Sequence, residues 1–256
     1  MPSAWDPDQY HRFRDERSRP FFDLLDLVEP CPGGAVIDLG CGTGELTRIL
    51  HERSGAATAL GLDSSDTMLA KAGEHAGAGL RFATGDIAQF SGQYDLVFSS
   101  AARLGLDGHG GLIPRIAAHV APGGQLAFQV PANADHPSHL LAHSVAREEP
   151  YATALGGYVR DWPVLPPERY AEILDRLGFR DLTVRLEVYG HHLESSGGVV
   201  EWVKGTLLTD YQKRMPAGLF ERYLARYREL LLGEIGMKAP YFYAFKRVLV
   251  RGRAAD

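Results

Sequence analysis

The stretch AVIDLGCGTGE, residues 35–45, decides the fold of this chain. Its first five residues form an apolar run that predicts a short buried strand, and Leu46, Ile49 and Leu50 then recur at helical spacing. Glycines between a strand and a helix let the backbone turn sharply and approach a ligand closely. The stretch therefore predicts a strand, a ligand-binding loop and a helix in direct succession.

Short apolar runs alternate with helical patterns along the rest of the chain, which predicts an α/β fold with a mostly parallel sheet. The predicted strands are residues 35–39, 57–62, 80–84, 94–98, 125–130, 182–188 and 241–250. The predicted helices cover 21–28, 46–50, 66–73, 112–120 and 170–177. A turn at Pro122-Gly123-Gly124 is expected to end the fourth helix, and Gly178 to end the fifth.

Two segments, 133–166 and 191–240, fall outside this alternation. The second carries two helical patterns, over 199–207 and 219–231. A helical insertion between two strands would lie over the carboxyl edge of the sheet, where ligands bind in open α/β folds. We therefore expect a single domain over residues 1–256, with an amino-terminal helical cap over 1–28 and a helical substrate lid over 191–240.

Composition argues against several classes of protein. A net charge of −5 over 256 residues gives no basic excess for nucleic acid. The polar amino terminus lacks the apolar core of a signal peptide, and no apolar run is long enough to span a bilayer. Two cysteines imply no disulfide framework, and no Cys/His/Asp spacing indicates a metal site. We expect a cytoplasmic monomer or homodimer that acts on a small molecule, without nucleic-acid or membrane partners.

Acidic residues around the loop narrow the class of ligand. Asp38, inside the strand end, can pair with a cation such as the ammonium of an amino acid. Glu45 replaces the third glycine of the dinucleotide pattern and would repel a pyrophosphate, which argues against an NAD-dependent oxidoreductase. Asp63 ends the next strand, where a carboxylate can accept hydrogen bonds from ribose hydroxyls. Asp86 and Ile87 follow the third strand and suit the amino group and ring of adenine.

Each of these residues also has a simpler interpretation. Asp63 and Asp86 could cap the helices that follow them, and Cys41 suits a small packing role better than that of a nucleophile. As an ordered set on successive strands, however, the residues indicate a nucleoside cofactor. The predicted cofactor-binding residues are Asp38, Gly40, Cys41, Gly42, Gly44, Asp63, Ser64, Met68, Asp86, Ile87 and Ser99.

Four motifs resemble the series found in class I S-adenosylmethionine (SAM)-dependent methyltransferases: residues 38–44, Asp63, residues 85–87 and residues 122–124. The resemblance implies a Rossmann-like sheet of seven strands with an antiparallel last strand. It implies SAM as the cofactor and S-adenosylhomocysteine (SAH) as the product. It also implies that Asp38 and Gly40 lie near the methionine end of SAM, Asp63 at the ribose, and residues 86–87 at the adenine.

A narrower resemblance, to the trans-aconitate 2-methyltransferase family, covers almost the whole chain. It rests on Trp5-Asp6-Pro7, Tyr10, Phe13, Glu16 to Pro20, His191, Glu201-Trp202-Val203, Ala244-Phe245 and Arg247. It implies a monomethyl ester made from a small tricarboxylate, and an amino terminus that closes over SAM. Residues 100–109 depart from the family pattern, with Leu104 for a glutamine and Gly105 for a tryptophan, which leaves the methyl acceptor open.

A carboxylate acceptor is already ionised at neutral pH, so its methylation requires no general base. It requires cationic and hydrogen-bonding groups that hold the acid. The predicted substrate-binding residues are Tyr10, Phe13, Arg17, Ser100, Arg103, His191, Trp202 and Arg247. A hydroxyl, amine or carbon acceptor would instead need a base, for which His109 and His191 are the candidates. A SAM-binding protein without catalysis is a third interpretation.

Overall fold

The computed structural model describes residues 14–100, 109–160 and 164–256, with side chains from residue 18 onward in those ranges. The elements in chain order are α1 (Arg14–Leu25), β1 (Ala35–Leu39), α2 (Glu45–Ser54), β2 (Thr58–Asp63), α3 (Asp66–Ala72), β3 (Leu80–Thr84), β4 (Tyr94–Ser100), α4 (His109–Ala117), β5 (Val120–Pro131), α5 (Pro137–Ala146), α6 (Tyr151–Ala154), α7 (Pro167–Arg176), β6 (Arg180–Leu193), α8 (Gly197–Lys204), α9 (Thr209–Arg214), α10 (Ala217–Ile235) and β7 (Tyr241–Arg253). A short 3₁₀ helix (Gly73–His75) follows α3.

The strands form one sheet of seven in the order β3-β2-β1-β4-β5-β7-β6. The β1–β2, β1–β4, β2–β3 and β4–β5 pairs are parallel, whereas β7 is antiparallel to β5. The strand order reverses at β1, whose neighbours are β2 and β4, and this is the position where open α/β sheets bind ligands. The predicted fold, including the antiparallel last strand, is confirmed.

Element ends follow the predicted turn chemistry except before β5. Gly178 has φ 82° and ends α7 as predicted. The fourth helix, however, ends at Ala117, and Val120 opens β5 opposite Tyr94 instead of ending the helix. The expected turn at 122–124 lies inside β5, where the register with β4 shifts. Gly124 allows this close pairing, because a Cβ there would lie 3.1 Å from the Tyr94 carbonyl oxygen.

The chain divides into two compact units. The sheet unit comprises residues 17–100, 109–131, 164–187 and 247–256 of the described chain. One face of its sheet is packed against α1 and α2, through apolar residues that include Phe21, Leu50 and Phe98. Burial of this apolar face is the main stabilising contribution to the unit.

The helical unit comprises residues 14–16, 132–160 and 188–246 of the described chain. Its core is rich in tyrosines, and two of their hydroxyls donate to backbone carbonyls: Tyr223 to Ala142 at 2.8 Å and Tyr227 to Ser138 at 2.9 Å. Helices α8, α9 and α10 lie within the segment predicted as a lid. That role, the cap over 1–28 and the single-domain boundaries stay predictions.

None of the helices in the described ranges is both long enough and apolar enough to cross a bilayer.

Candidate active site

The loop between β1 and α2 has a backbone that only glycine adopts without strain. Gly40, Gly42 and Gly44 have φ of 82°, 58° and 76°. A Cβ on Gly44 would also lie 2.6 Å from the Phe82 ring and 2.8 Å from the Ala72 Cβ. The loop therefore needs glycine at position 44 both for its conformation and for its close packing against β3 and α3.

Asp63 ties this loop to the end of β2. Its Oδ2 accepts from the Gly42 N–H at 2.9 Å, and its Oδ1 accepts from the Ser65 N–H at 2.9 Å. The residue that caps α3 is Ser65, which accepts from the Met68 N–H at 3.4 Å, so the interpretation of Asp63 as that cap is wrong. A carboxylate oxygen has two lone pairs, so Asp63 keeps acceptor capacity for a ligand beside the loop.

Asp38 is a buried carboxylate directly below the loop. The Thr47 hydroxyl of α2 donates to its Oδ2 at 2.6 Å. Burial and, to a smaller extent, the charge of Asp63 raise the pKa of Asp38 to about 7, against the lowering effect of the Thr47 hydrogen bond. A cationic ligand group next to Asp38 would offset the cost of burying its charge.

A second polar cluster lies on the same face of the sheet, one strand further along. The Gln129 amide donates to the Ser100 hydroxyl at 2.9 Å, and its Oε1 accepts from Arg247 Nη1 at 2.7 Å. Asp38 pairs with Phe98 and Ser100 pairs with Gln129, so alternation along the strands points all of these side chains to one face. The Asp38 carboxylate and the donors Ser100 and Arg247 therefore lie at the same carboxyl edge of the sheet.

Known proteins match this chain along nearly its whole length. A methyltransferase-domain family model matches residues 36–124. A trans-aconitate 2-methyltransferase of Deinococcus radiodurans is 47% identical over 252 residues, which cover 96% of each chain. Proteins of the same name from Streptomyces avermitilis and Variovorax paradoxus are 41% and 40% identical, over 90% and 87% of each chain.

The chain belongs to the trans-aconitate 2-methyltransferase family. It is a SAM-dependent methyltransferase, as the sequence predicted, and the NAD-dependent alternative is wrong. Solved structures agree with the fold. Phosphoethanolamine N-methyltransferase 2 of Haemonchus contortus in complex with SAM has a TM-score of 0.56 at 17% identity, covering 93% of this chain and 53% of that one. YcgJ of Bacillus subtilis has a TM-score of 0.60 at 12% identity, covering 93% and 99%.

The loop of this family member fits SAM. Its glycines leave room for close approach, and Asp38 and Asp63 provide carboxylates of the kind that an ammonium and ribose hydroxyls require. Met68 lies against the loop, with its Cε 3.8 Å from the Cβ position of Gly42, and Ser64 is exposed beside it. Their predicted contacts with the cofactor stay predictions.

Three other predicted cofactor residues are engaged locally. The exposed Asp86 accepts from the Ala88 N–H at 2.8 Å in a turn, next to a half-buried Ile87. The structure describes every residue between β3 and β4 and has no helix there, so the interpretation of Asp86 as a helix cap is wrong, and its contact with adenine stays a prediction. The Ser99 hydroxyl donates to the Leu39 carbonyl at 2.8 Å and links β4 to β1. Burial raises the pKa of the Cys41 thiol, as do the charges of Asp38 and Asp63, which agrees with packing and not with a nucleophile.

The two candidate bases belong to packed contacts in different units. In the sheet unit, His109 is buried and its Nδ1 is hydrogen-bonded to the Tyr170 hydroxyl. The Tyr170 hydroxyl accepts from the Leu165 N–H at 3.0 Å. In the helical unit, the His191 ring is buried, and its centroid lies 4.7 Å from that of the Trp202 ring. His192 is exposed, and its ring centroid lies 5.2 Å from that of Phe242. The predicted roles of His191 as a substrate contact and as a base stay predictions.

Four predicted substrate contacts lie outside the described residues, either entirely or in their side chains. They are Tyr10, Phe13, the Arg17 side chain and Arg103. Gln129 is not among the residues predicted from the sequence. The available signal was a polar residue inside the apolar run LAFQV, residues 126–130, since an amide in a buried strand requires partners.

Proposed function

We propose that this methyltransferase esterifies one carboxylate of a small polycarboxylic acid, with trans-aconitate as the first candidate. The supporting observation is the cluster of Ser100, Gln129 and Arg247 on the same sheet face as Asp38. A guanidinium and a hydroxyl are donors that suit a carboxylate. The relatives that match the chain across its length carry the name of this activity.

SAM supplies a methyl group on a positively charged sulfur when it is bound. The residues of the chain contribute placement: Asp38 is the partner for the ammonium, and the glycine loop and Asp63 hold the nucleoside. The acid is ionised at neutral pH, so a proton does not have to be removed before its oxygen attacks. Holding that oxygen in line with the methyl carbon is then the main source of rate acceleration.

The test is turnover by the purified enzyme with SAM and a panel of acids: trans-aconitate, cis-aconitate, citrate, tricarballylate and succinate. We expect a base-labile monomethyl ester, identified by mass spectrometry, and SAH in equal amount. The monomethyl ester of tricarballylate is the matched control, since it lacks one of the carboxylates. An absence of ester with all di- and tricarboxylates would overturn the carboxyl assignment.

A hydroxyl, amine or carbon acceptor is the second candidate, favoured by the departure of residues 100–109 from the family pattern. It predicts a histidine-like ionisation in kcat. The measurement needs saturating SAM and acceptor, because Asp38 of the free enzyme ionises in the same pH range. A flat kcat profile between pH 6 and 8 would support the carboxylate acceptor instead.

We also propose that the enzyme works in the cytoplasm as a monomer or homodimer without nucleic acid, and that residues 1–28 and 191–240 act as cap and lid. The two free cysteines support the cytoplasmic assignment, and the acidic net charge supports the absence of nucleic acid. Light scattering tests the oligomeric state. Hydrogen exchange with SAH and tricarballylate tests the lid, because closure predicts new amide protection in 191–240 only when both ligands are present.

A further inference from the structure

Strands β5 and β7 carry two glutamine–arginine pairs of the same geometry. We name Gln129 and Arg247 the upper pair, at the carboxyl edge, and Gln125 and Arg251 the lower pair. Gln129 faces Leu249 in the ladder, so Arg247 lies two residues from the directly opposed position, and Arg251 has the same offset from the partner of Gln125. In both pairs the amide oxygen accepts from the guanidinium, at 2.7 Å in the upper pair and 3.1 Å in the lower pair.

The lower pair holds a carboxylate. Arg251 Nη2 lies 2.6 Å from Glu29 Oε1, and the Gln125 amide donates to the Glu29 carbonyl at 2.8 Å. The Arg251 side chain is only 6% exposed. In the lower pair, the arginine held by the glutamine therefore binds a carboxylate through Nη2, and the glutamine amide fixes a neighbouring carbonyl.

In the upper pair, the neighbouring group is the Ser100 hydroxyl. It accepts a hydrogen bond from the Gln129 Nε2, so its own O–H is directed elsewhere. Gln129 is 1% exposed, and its oxygen and nitrogen are both bonded, which fixes the orientation of the amide. One buried amide thus sets the direction of two donors, a guanidinium and a hydroxyl.

We propose that Gln129 is a positioning residue that orients Arg247 and Ser100 as a subsite for a substrate carboxylate. The upper pair binds, from a ligand, the group that the lower pair binds from Glu29. The inference rests on the proposed function for its substrate class. The positioning role of Gln129 is tested by acid binding, whereas the proposed function is tested by turnover, so either can fail without the other.

The experiment is calorimetric titration of tricarballylate and of trans-aconitate into the full-length enzyme saturated with SAH. We expect Gln129→Leu to weaken acid binding by about tenfold or more, because both donors lose their orientation, with SAH affinity unchanged. In turnover assays KM for the acid should rise more than kcat falls. Gln125→Leu is the matched control, which should lower the melting temperature and leave acid affinity unchanged.

Two further variants keep the test decisive if Gln129→Leu does not fold. Ser100→Ala removes one donor and should weaken acid binding about fivefold. Gln129→Glu keeps the shape of the side chain but places a charge that competes for Arg247, and should weaken acid binding more than Ser100→Ala does. Equal acid affinity in these variants and the wild type overturns the inference, as does a wild type that binds neither acid. Binding without methylation overturns the proposed function alone.

Discussion

The upper and lower glutamine–arginine pairs share one ladder and one geometry, yet they lie in different surroundings. At the lower end the chain provides the anion itself, through Glu29, and the result is a closed set of contacts between β5, β7 and the segment before β1. At the upper end the pair adjoins Ser100 and lies on the same face as the buried Asp38. In the inference drawn above, the same side-chain arrangement stabilises the fold at one edge of the sheet and binds a ligand carboxylate at the other.

The largest expected effect separates the two arginines. Arg247→Met should weaken binding of a polycarboxylate by about thirtyfold or more, because truncating one partner of a buried charge-assisted contact costs at least 2 kcal/mol. Arg251→Met should leave acid affinity unchanged and lower the free energy of unfolding by about 2 kcal/mol, since Arg251 bonds to Glu29, Gln125 and the Asp181 carbonyl. Acid titrations with SAH present and urea unfolding of both variants measure the contrast.

Methionine is the matched substitution at both positions, because it keeps the aliphatic volume of arginine and removes only the charge and the donors. The control is SAH affinity, which neither substitution should change. An equal loss of acid affinity in Arg251→Met and Arg247→Met would contradict the assignment of acid binding to the upper pair alone.

The structure has the loop that the sequence predicted for the cofactor half of the candidate site, because the signals for this loop are local. A strand, three glycines and an acid lie within ten residues, and periodicity and backbone freedom determine their arrangement. Asp38 was identified because a carboxylate in an apolar strand needs a partner. The same local logic predicted that α7 ends at Gly178.

The substrate half of the candidate site depends on contacts between residues that are far apart in the sequence, and the sequence alone does not reveal these contacts. Gln129 contacts Arg247, which is 118 residues away in the sequence, and Ser100, which is 29 residues away. Only the strand order brings these residues together. His109 is a candidate base on sequence grounds, but its hydrogen bond with Tyr170, 61 positions away, could not be predicted from the sequence. The helix expected to reach Val120 ended earlier, because tertiary pairing with Tyr94 overrode the helical pattern.

Asp38 and Glu29, the acids at the two edges of the sheet, also differ in burial, and this difference can be tested through pH. Burial raises the pKa of Asp38 to about 7, whereas the Glu29 side chain is 60% exposed. An ammonium beside Asp38 favours its carboxylate and lowers that pKa, so binding releases a proton at pH values between the bound and free pKa. Ligand affinity is then full above pH 7 and is lost as the pH falls through 7.

We expect SAH to bind roughly eightfold more weakly at pH 6 than at pH 7.5, as a free pKa of about 7 for Asp38 requires. Calorimetry in buffers of different ionisation enthalpy should detect the released proton. Asp38→Asn is the control: it should bind SAH more weakly at every pH and lose the slope. A wild-type affinity that does not vary over this range would rule out Asp38 as the partner of the ammonium.

The smallest expected effect belongs to the anion of the lower pair. Glu29→Gln removes the charge that Arg251 and Arg253 share and keeps the shape of the side chain. Because Glu29 is mostly exposed, solvent screens the pair, and the loss should be about 0.5–1 kcal/mol, or about 1–4 °C in melting temperature. The difference from the wild type should shrink in 1 M NaCl, and acid affinity should not change. A loss above about 2 kcal/mol would mean that Glu29 acts as a buried ion and that the lower pair is not a solvated counterpart of the upper one.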